Sequence, residues 1–172
     1  SLITKKMKGT YFTTAHAKEI LSLQQKFNVL LIGPGIGRKS DAFIRKVCFG
    51  WKGPKVIDAD AIKALGKNYA KVRSAVFTPH SKEFEHMVGK DIAQRSVQEK
   101  ARILQRAAGS NVILFKCPVD IIATGGKAAF NRTGNPSMTK GGTGDVLAGF
   151  TAGFLALTGD PFKAACMAAY LN

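Results

Sequence analysis

The chain has 172 residues, 45% hydrophobic and 22% charged, a balance that excludes wholesale disorder and suits one domain. At this length a fold can bury roughly 70% of the surface its unfolded form exposes, enough for a real core. Lys and Arg number 26 against 11 Asp and Glu, so the net charge is +15, a field that attracts polyanions without choosing among them. Ala15–Phe27 places Ile20, Leu21, Leu23 and Phe27 at helical spacing behind a cap at Thr13 or Thr14. Val29–Ile32 is an uninterrupted apolar run, read as a strand buried on both faces, and it ends in Gly33-Pro34-Gly35. A helix is predicted over Ser40–Trp51, starting at Ser40 or Asp41. Short buried strands follow at Lys55–Asp58 and Ala75–Thr78, with Ala59–Leu65 between them and Pro79 stopping the second.

Asp91–Ala108 reads as an amphipathic helix with Ile92, Val97, Ile103 and Leu104 inward and basic residues outward. Asn111–Phe115 is a fourth strand. Val119–Ala123 and Lys127–Phe130, joined by Thr124-Gly125-Gly126, form an antiparallel hairpin. Gly142–Thr158 and Pro161–Leu171 are the last two helices. Strands alternating with helices imply an α/β fold, a mostly parallel sheet with helices on both faces. The pattern predicts a single domain over residues 1–172, incomplete at its N-terminus and trimmed at its C-terminus.

Cys48, Cys117 and Cys166 are odd in number, widely spaced and without a CxxC, which argues against a disulfide framework or a zinc site and for a cytoplasmic compartment. Ser1–Thr14 has no apolar run ahead of a cleavage site. The longest apolar stretch, Val146–Leu157, is shorter than the about 20 residues of a membrane span. A soluble protein without a membrane partner is expected.

The most informative segment is Asn131–Gly149, NRTGNPSMTKGGTGDVLAG. Gly134, Gly141, Gly142 and Gly144 crowd a loop that leads into an apolar helix. Glycines let backbone N–H groups converge on a ligand, and the first turn of a helix adds outward-pointing donors and the positive end of its dipole. Asp145 sits beside that anion site, where a carboxylate can take a proton from a hydroxyl while amides stabilise a transferring phosphoryl group. The plainer reading is an acid that favours a helix N-terminus. No GKS or GKT follows the glycines, so this is not a Walker A loop.

TGNPSMTKGGTGDVLAG resembles the signature of the ADP/ATP-dependent NAD(P)H-hydrate dehydratases, a branch of the ribokinase-like kinases. Four further segments fall in the order of that family: LIGPGIG at Leu31–Gly37, VIDADAI at Val56–Ile62, FTPHSKE at Phe77–Glu83 and LFKCPVD at Leu114–Asp120. The resemblance implies a ribokinase-like fold and the dehydration of hydrated NADH or NADPH, with ADP or ATP as phosphoryl donor and Mg²⁺ as cofactor. The nucleotide phosphorylates the C6 hydroxyl, and loss of phosphate restores the ring. By the same resemblance Asp145 is the base, and Gly142, Thr143 and Gly144 form the anion hole. Lys116, Cys117, Pro118, Val119 and Asp120, with Asn135, Pro136, Ser137, Met138, Thr139, Lys140, Gly141, Gly142, Thr143 and Gly144, bind the nucleotide. Gly35, Thr78, His80, Glu83 and Asp145 face the hydrated dinucleotide. No protein side chain is assigned to a metal, and a homo-oligomer is implied.

Cys117-Pro118 and His80-Ser81-Lys82 depart from the family pattern, and Pro118 removes a backbone donor near the expected phosphates. Two alternatives stand beside the dehydratase: a ribokinase-like kinase of a vitamin precursor or sugar, and a catalytically impaired nucleotide-binding relative. Nucleic-acid binding has little support, because the basic residues are scattered and no recognition motif appears. Asp58 and Asp60 could help hold Mg²⁺ or a hydroxyl, or cap the following helix. His16 and His86 read as surface residues, and Gly149-xxx-Gly153 as a site of close helix packing.

Overall fold

The computed structural model describes residues 3–134 and 141–172. In chain order it holds α1 (Thr14–Ser22), β1 (Leu30–Ile32), α2 (Asp41–Gly50), β2 (Lys55–Ile57), α3 (Ala59–Leu65), β3 (Ala75–Phe77), α4 (Ser81–Val88), α5 (Val97–Ala108), β4 (Val112–Phe115), β5 (Asp120–Thr124), β6 (Lys127–Asn131), α6 (Thr143–Thr158) and α7 (Pro161–Leu171). The six strands lie side by side in sequence order. β1 to β4 run parallel and β4, β5 and β6 alternate in direction, the sheet and hairpin that the sequence predicts.

Side chains alternate across each strand, so neighbours in sequence feed opposite cores. Ile57, Phe77, Ile113, Phe115 and Ile121 pack with residues of α1 to α5, including Phe43, Ile44, Ile62, Phe84 and Leu104. Val56, Val76, Val112, Leu114 and Ile122 face the other way, onto Leu147 and Leu155 of α6 and Ala164, Ala165, Ala168 and Ala169 of α7. β2, β3 and β4 are therefore dry on both faces, which is why they read as continuous apolar runs, whereas β1, predicted to be buried on both faces, lies at the sheet edge with Leu31 36% exposed. Phe84 meets Phe115 edge-on at 5.7 Å between ring centroids, anchoring α4 to the end of β4.

Two helix limits and one whole helix differ by more than a residue or two from the predicted elements. α1 stops at Ser22, and Phe27 is 56% exposed rather than part of its inner face. α5 begins at Val97 because Ser96 caps it: the Glu99 N–H donates to Ser96 Oγ at 3.3 Å and the Ser96 N–H donates to Glu99 Oε2 at 3.0 Å. Ile92 is still buried, from the turn ahead of the helix. α4 is a helix where the sequence analysis assigned only substrate-facing residues and no element. His16 and His86 also have partners, the Thr13 N–H at 3.0 Å and the Lys63 carbonyl at 3.0 Å.

Gly149 and Gly153 do not mark helix packing among the described residues. A Cβ built at either meets no neighbour within 4 Å, and exposed Val146, Phe150 and Leu157 lie on the same helix. No described helix is long and apolar enough to cross a membrane. The parallel strands point their carboxyl ends to one edge of the sheet, where α/β folds hold ligands.

Candidate functional site

Asp58 follows β2, Thr78 follows β3 and Lys116 follows β4, so three adjacent parallel strands deliver them to one place. Asp58 is 1% exposed. Its Oδ1 accepts from Thr78 Oγ1 at 2.7 Å and from Lys116 Nζ at 3.0 Å. Glu83, on the first turn of α4 and also buried, brings Oε2 to 3.8 Å from the same ammonium. Charges this deep are tolerated because they are paired and hydrogen-bonded. The backbone is tied here as well, with the Lys116 N–H donating to the Pro79 carbonyl at 2.9 Å.

His80 is half of an N-terminal clasp on α4. The Glu83 N–H donates to His80 Nδ1 at 3.3 Å, and the His80 N–H donates to Glu83 Oε2 at 3.1 Å. His80 Nε2 stands 3.5 Å from Glu83 Oε1, on an exposed side chain. The predicted substrate residues Thr78, His80 and Glu83 are thus brought together, with Lys116 and Asp58 as their neighbours.

The loop after β1 closes onto the same edge. Gly33 has φ of +133°, and a Cβ there would lie 1.8 Å from the Asp58 carbonyl oxygen, so no other residue fits. Further along, the Gly37 N–H donates to Asp60 Oδ2 at 3.0 Å while Lys63 Nζ meets Asp60 Oδ1 at 3.2 Å. Asp60 therefore holds the glycine-rich loop. Gly35 is exposed, and no described atom approaches within 4 Å of a Cβ built there. Ala59, directly after Asp58, adopts φ of +47°, a conformation that costs a residue with a Cβ roughly 1–2 kcal/mol.

The third part is the start of α6. Gly142 caps it with φ of +97°, and the first intrahelical bond runs from the Val146 N–H to the Gly142 carbonyl at 3.1 Å. The amides of the first turn point out along the axis, at the positive end of the dipole. Asp145 lies on this turn and is exposed. A Cβ built on Gly144 would stand 3.5 Å from Lys116 Nζ, so the sheet-edge ammonium and the helix end flank a common space. Asn135, Pro136, Ser137, Met138, Thr139 and Lys140 lie outside the described residues.

Within Lys116–Asp120 the roles divide. The Cys117 N–H donates to Asp120 Oδ1 at 3.2 Å and Asn131 Nδ2 donates to Asp120 Oδ2 at 3.3 Å, so Asp120 ties the turn to itself and to β6. Burial pushes the Asp120 carboxyl above its usual range and raises the Cys117 thiol, which donates to the Val119 carbonyl at 2.8 Å. Pro118 is exposed. Lys116 is the member of this segment beside α6. Sequence reasoning missed that Asp58 is the partner of Lys116, 58 residues away.

Among the described residues, no three His, Cys, Asp or Glu side chains gather as a metal site. Asp58 and Glu83 both approach the Lys116 ammonium, with His80 beside Glu83, so a divalent cation at this edge would come in on phosphate oxygens, since magnesium keeps most of its ligands as phosphate and water.

A family model described as NAD(P)H-hydrate dehydratase matches residues 2–172. The bifunctional NAD(P)H-hydrate repair enzyme of Pyrobaculum aerophilum is 38% identical over 99% of this chain and 35% of its own length. Among solved structures, an ADP/ATP-dependent NAD(P)H-hydrate dehydratase from Bacillus subtilis, co-crystallized with ATP and Mg²⁺, aligns with a TM-score of 0.71 and 32% identity, covering 84% of this chain and 53% of that one. A ribokinase-like superfamily protein from Enterococcus faecalis aligns with a TM-score of 0.76 and 27% identity, covering 92% of this chain and 57% of that one. The chain spans about a third of the length of the curated relatives it matches.

Proposed function

Because the chain belongs to the NAD(P)H-hydrate dehydratase family and has its ribokinase-like fold, we propose that it dehydrates hydrated NADH or NADPH at the expense of ADP or ATP. The single observation that carries this reading is the pairing of Lys116 Nζ with the first turn of α6, 3.5 Å from a Cβ built on Gly144, with Asp145 on that same turn. A cation and outward-pointing amides on either side of one space suit a phosphoryl group, whose transfer needs mainly positioning and charge neutralisation.

In the proposed reaction the C6 hydroxyl oxygen attacks the terminal phosphorus while its proton passes to the Asp145 carboxylate. The bond from phosphorus to the leaving nucleotide oxygen breaks. Phosphate then departs from C6 with the bonding electrons, and loss of a proton from C5 restores the ring double bond. The amides of Gly142, Thr143 and Gly144, with Lys116, stabilise charge on the phosphoryl oxygens. When bound, Mg²⁺ would supply further neutralisation from the phosphate oxygens, since Asp58 already serves Thr78 and Lys116 and Glu83 already serves His80. Lys116 to Val119 and the segment 135–144 take the nucleotide. Gly35 and His80, both exposed, face the dinucleotide, while Thr78, which the resemblance also assigned to the substrate, is buried and acts from behind them on Asp58.

Hydrated NADH, Mg²⁺ and either ADP or ATP are to be incubated with the protein while the near-ultraviolet absorbance of the dihydronicotinamide ring is followed. Recovery of that absorbance with release of phosphate is expected. A stable phosphorylated product in place of phosphate would instead mark a small-molecule kinase. The same reading makes the protein a cytoplasmic homo-oligomer. Its three free cysteines and the exposed Val146, Phe150 and Leu157 of α6 support those two assignments, and light scattering on the purified protein tests the second.

A further inference from the structure

We infer that Asp58 is the positioning residue for Lys116, the group that fixes this ammonium beside the α6 N-terminus before any phosphate arrives; the inference rests on the nucleotide-dependent reaction proposed for this site. A lysine has a long flexible stem, and ordering it on ligand binding costs rotamer entropy. Here both ends of the stem are already held. The Lys116 N–H donates to the Pro79 carbonyl at 2.9 Å, and Nζ donates to Asp58 Oδ1 at 3.0 Å.

Asp58 is in turn fixed. It is 1% exposed, its backbone carbonyl accepts the Ala61 N–H at the start of α3, and its carboxylate receives the Thr78 hydroxyl on the same oxygen at 2.7 Å. Glu83 contributes charge at 3.8 Å, beyond hydrogen-bond length, and its Oε2 already accepts the His80 N–H. Among the described residues no other hydrogen-bond partner engages the ammonium, so its remaining N–H groups are available on the side toward Gly144. Orientation settled in advance favours both binding and transfer.

The test is a double-mutant cycle of Asp58→Asn and Lys116→Met. Binding of Mg²⁺–ADP and of inorganic pyrophosphate is read by calorimetry, with turnover of hydrated NADH measured beside it. Asp58→Asn alone is expected to weaken both ligands about tenfold, the scale of one charge-assisted hydrogen bond. In the Lys116→Met background the same change is expected to do nothing further, because Asp58 acts through the ammonium. Thr78→Val keeps both charges and is expected to repeat the loss at smaller size, which keeps the test open if Asp58→Asn does not fold. Equal losses in both backgrounds, or a loss restored by excess Mg²⁺, would overturn the inference and leave Asp58 a structural or metal-holding carboxylate. Intact coupling on pyrophosphate in a protein that turns over no hydrate would keep Asp58 in this role and remove the proposed activity. Failure of the unmodified protein to bind either ligand would overturn both.

Discussion

The two sides of the candidate site are built on opposite principles. On the sheet edge, Asp58, Thr78 and Glu83 are buried and interlocked, and each oxygen that meets Lys116 has another donor holding it. At α6 the reverse holds: Gly141, Gly142 and Asp145 are exposed, and the binding groups are backbone amides. One side fixes a charge by packing, while the other offers donors that need no side chain to be ordered. The difference teaches where substitutions will act through the fold and where they will act on the ligand alone.

Gly33→Ala should break the sheet-edge side most severely. A methyl group 1.8 Å from the Asp58 carbonyl forces the loop off β2, and a loss of more than about 4 kcal/mol in denaturant unfolding is expected. On the α6 side, Gly144→Ala sharpens the contrast. Its Cβ meets Lys116 Nζ at an ordinary 3.5 Å, so stability should hold while the methyl obstructs the phosphate space. Nucleotide affinity is expected to fall about tenfold, or about 1.4 kcal/mol by titration. Unchanged affinity with lost stability would erase the distinction between the two sides.

Asp120→Asn probes a smaller effect within the sheet-edge turn. Burial raises the Asp120 carboxyl above the usual carboxylate range. A raised acid adds stability that is present in full below its unfolded value and is lost as pH rises through the folded one. Thermal melts of the unmodified protein should therefore fall, relative to Asp120→Asn, on moving from below pH 3.8 toward neutrality. Parallel curves would mean that burial does not govern this carboxyl.

Much of the sheet was legible because its central strands are buried on both faces and even the edge strand β1 is an apolar run, although its Leu31 is exposed. Val29–Ile32, Lys55–Asp58 and Asn111–Phe115 overlap the observed strands to within a residue or so at each end. The α4 helix was missed because FTPHSKE was read only for the substrate residues it supplies, although His80 and Glu83 stand at capping-box spacing and Phe84, Met87 and Val88 follow at helical intervals. Ser96 and Glu99 carried the same signal for the true start of α5. The Asp58–Lys116 bond gave no such sign. It depends on β2, β3 and β4 lying side by side in register, a property of the topology that no local spacing contains. Asp60 is a similar case, its carboxylate reaching back to the Gly37 amide.

The most direct measurement is turnover of hydrated NADH by Asp145→Asn, with nucleotide binding followed in parallel. The side chain is exposed and keeps its shape, so the variant should fold and bind Mg²⁺–ADP like the unmodified protein. Recovery of the dihydronicotinamide absorbance is expected to slow by roughly 10²–10⁴-fold, the usual contribution of a general base. Recovery at the unmodified rate would contradict the assignment of Asp145 as the residue that takes the hydroxyl proton.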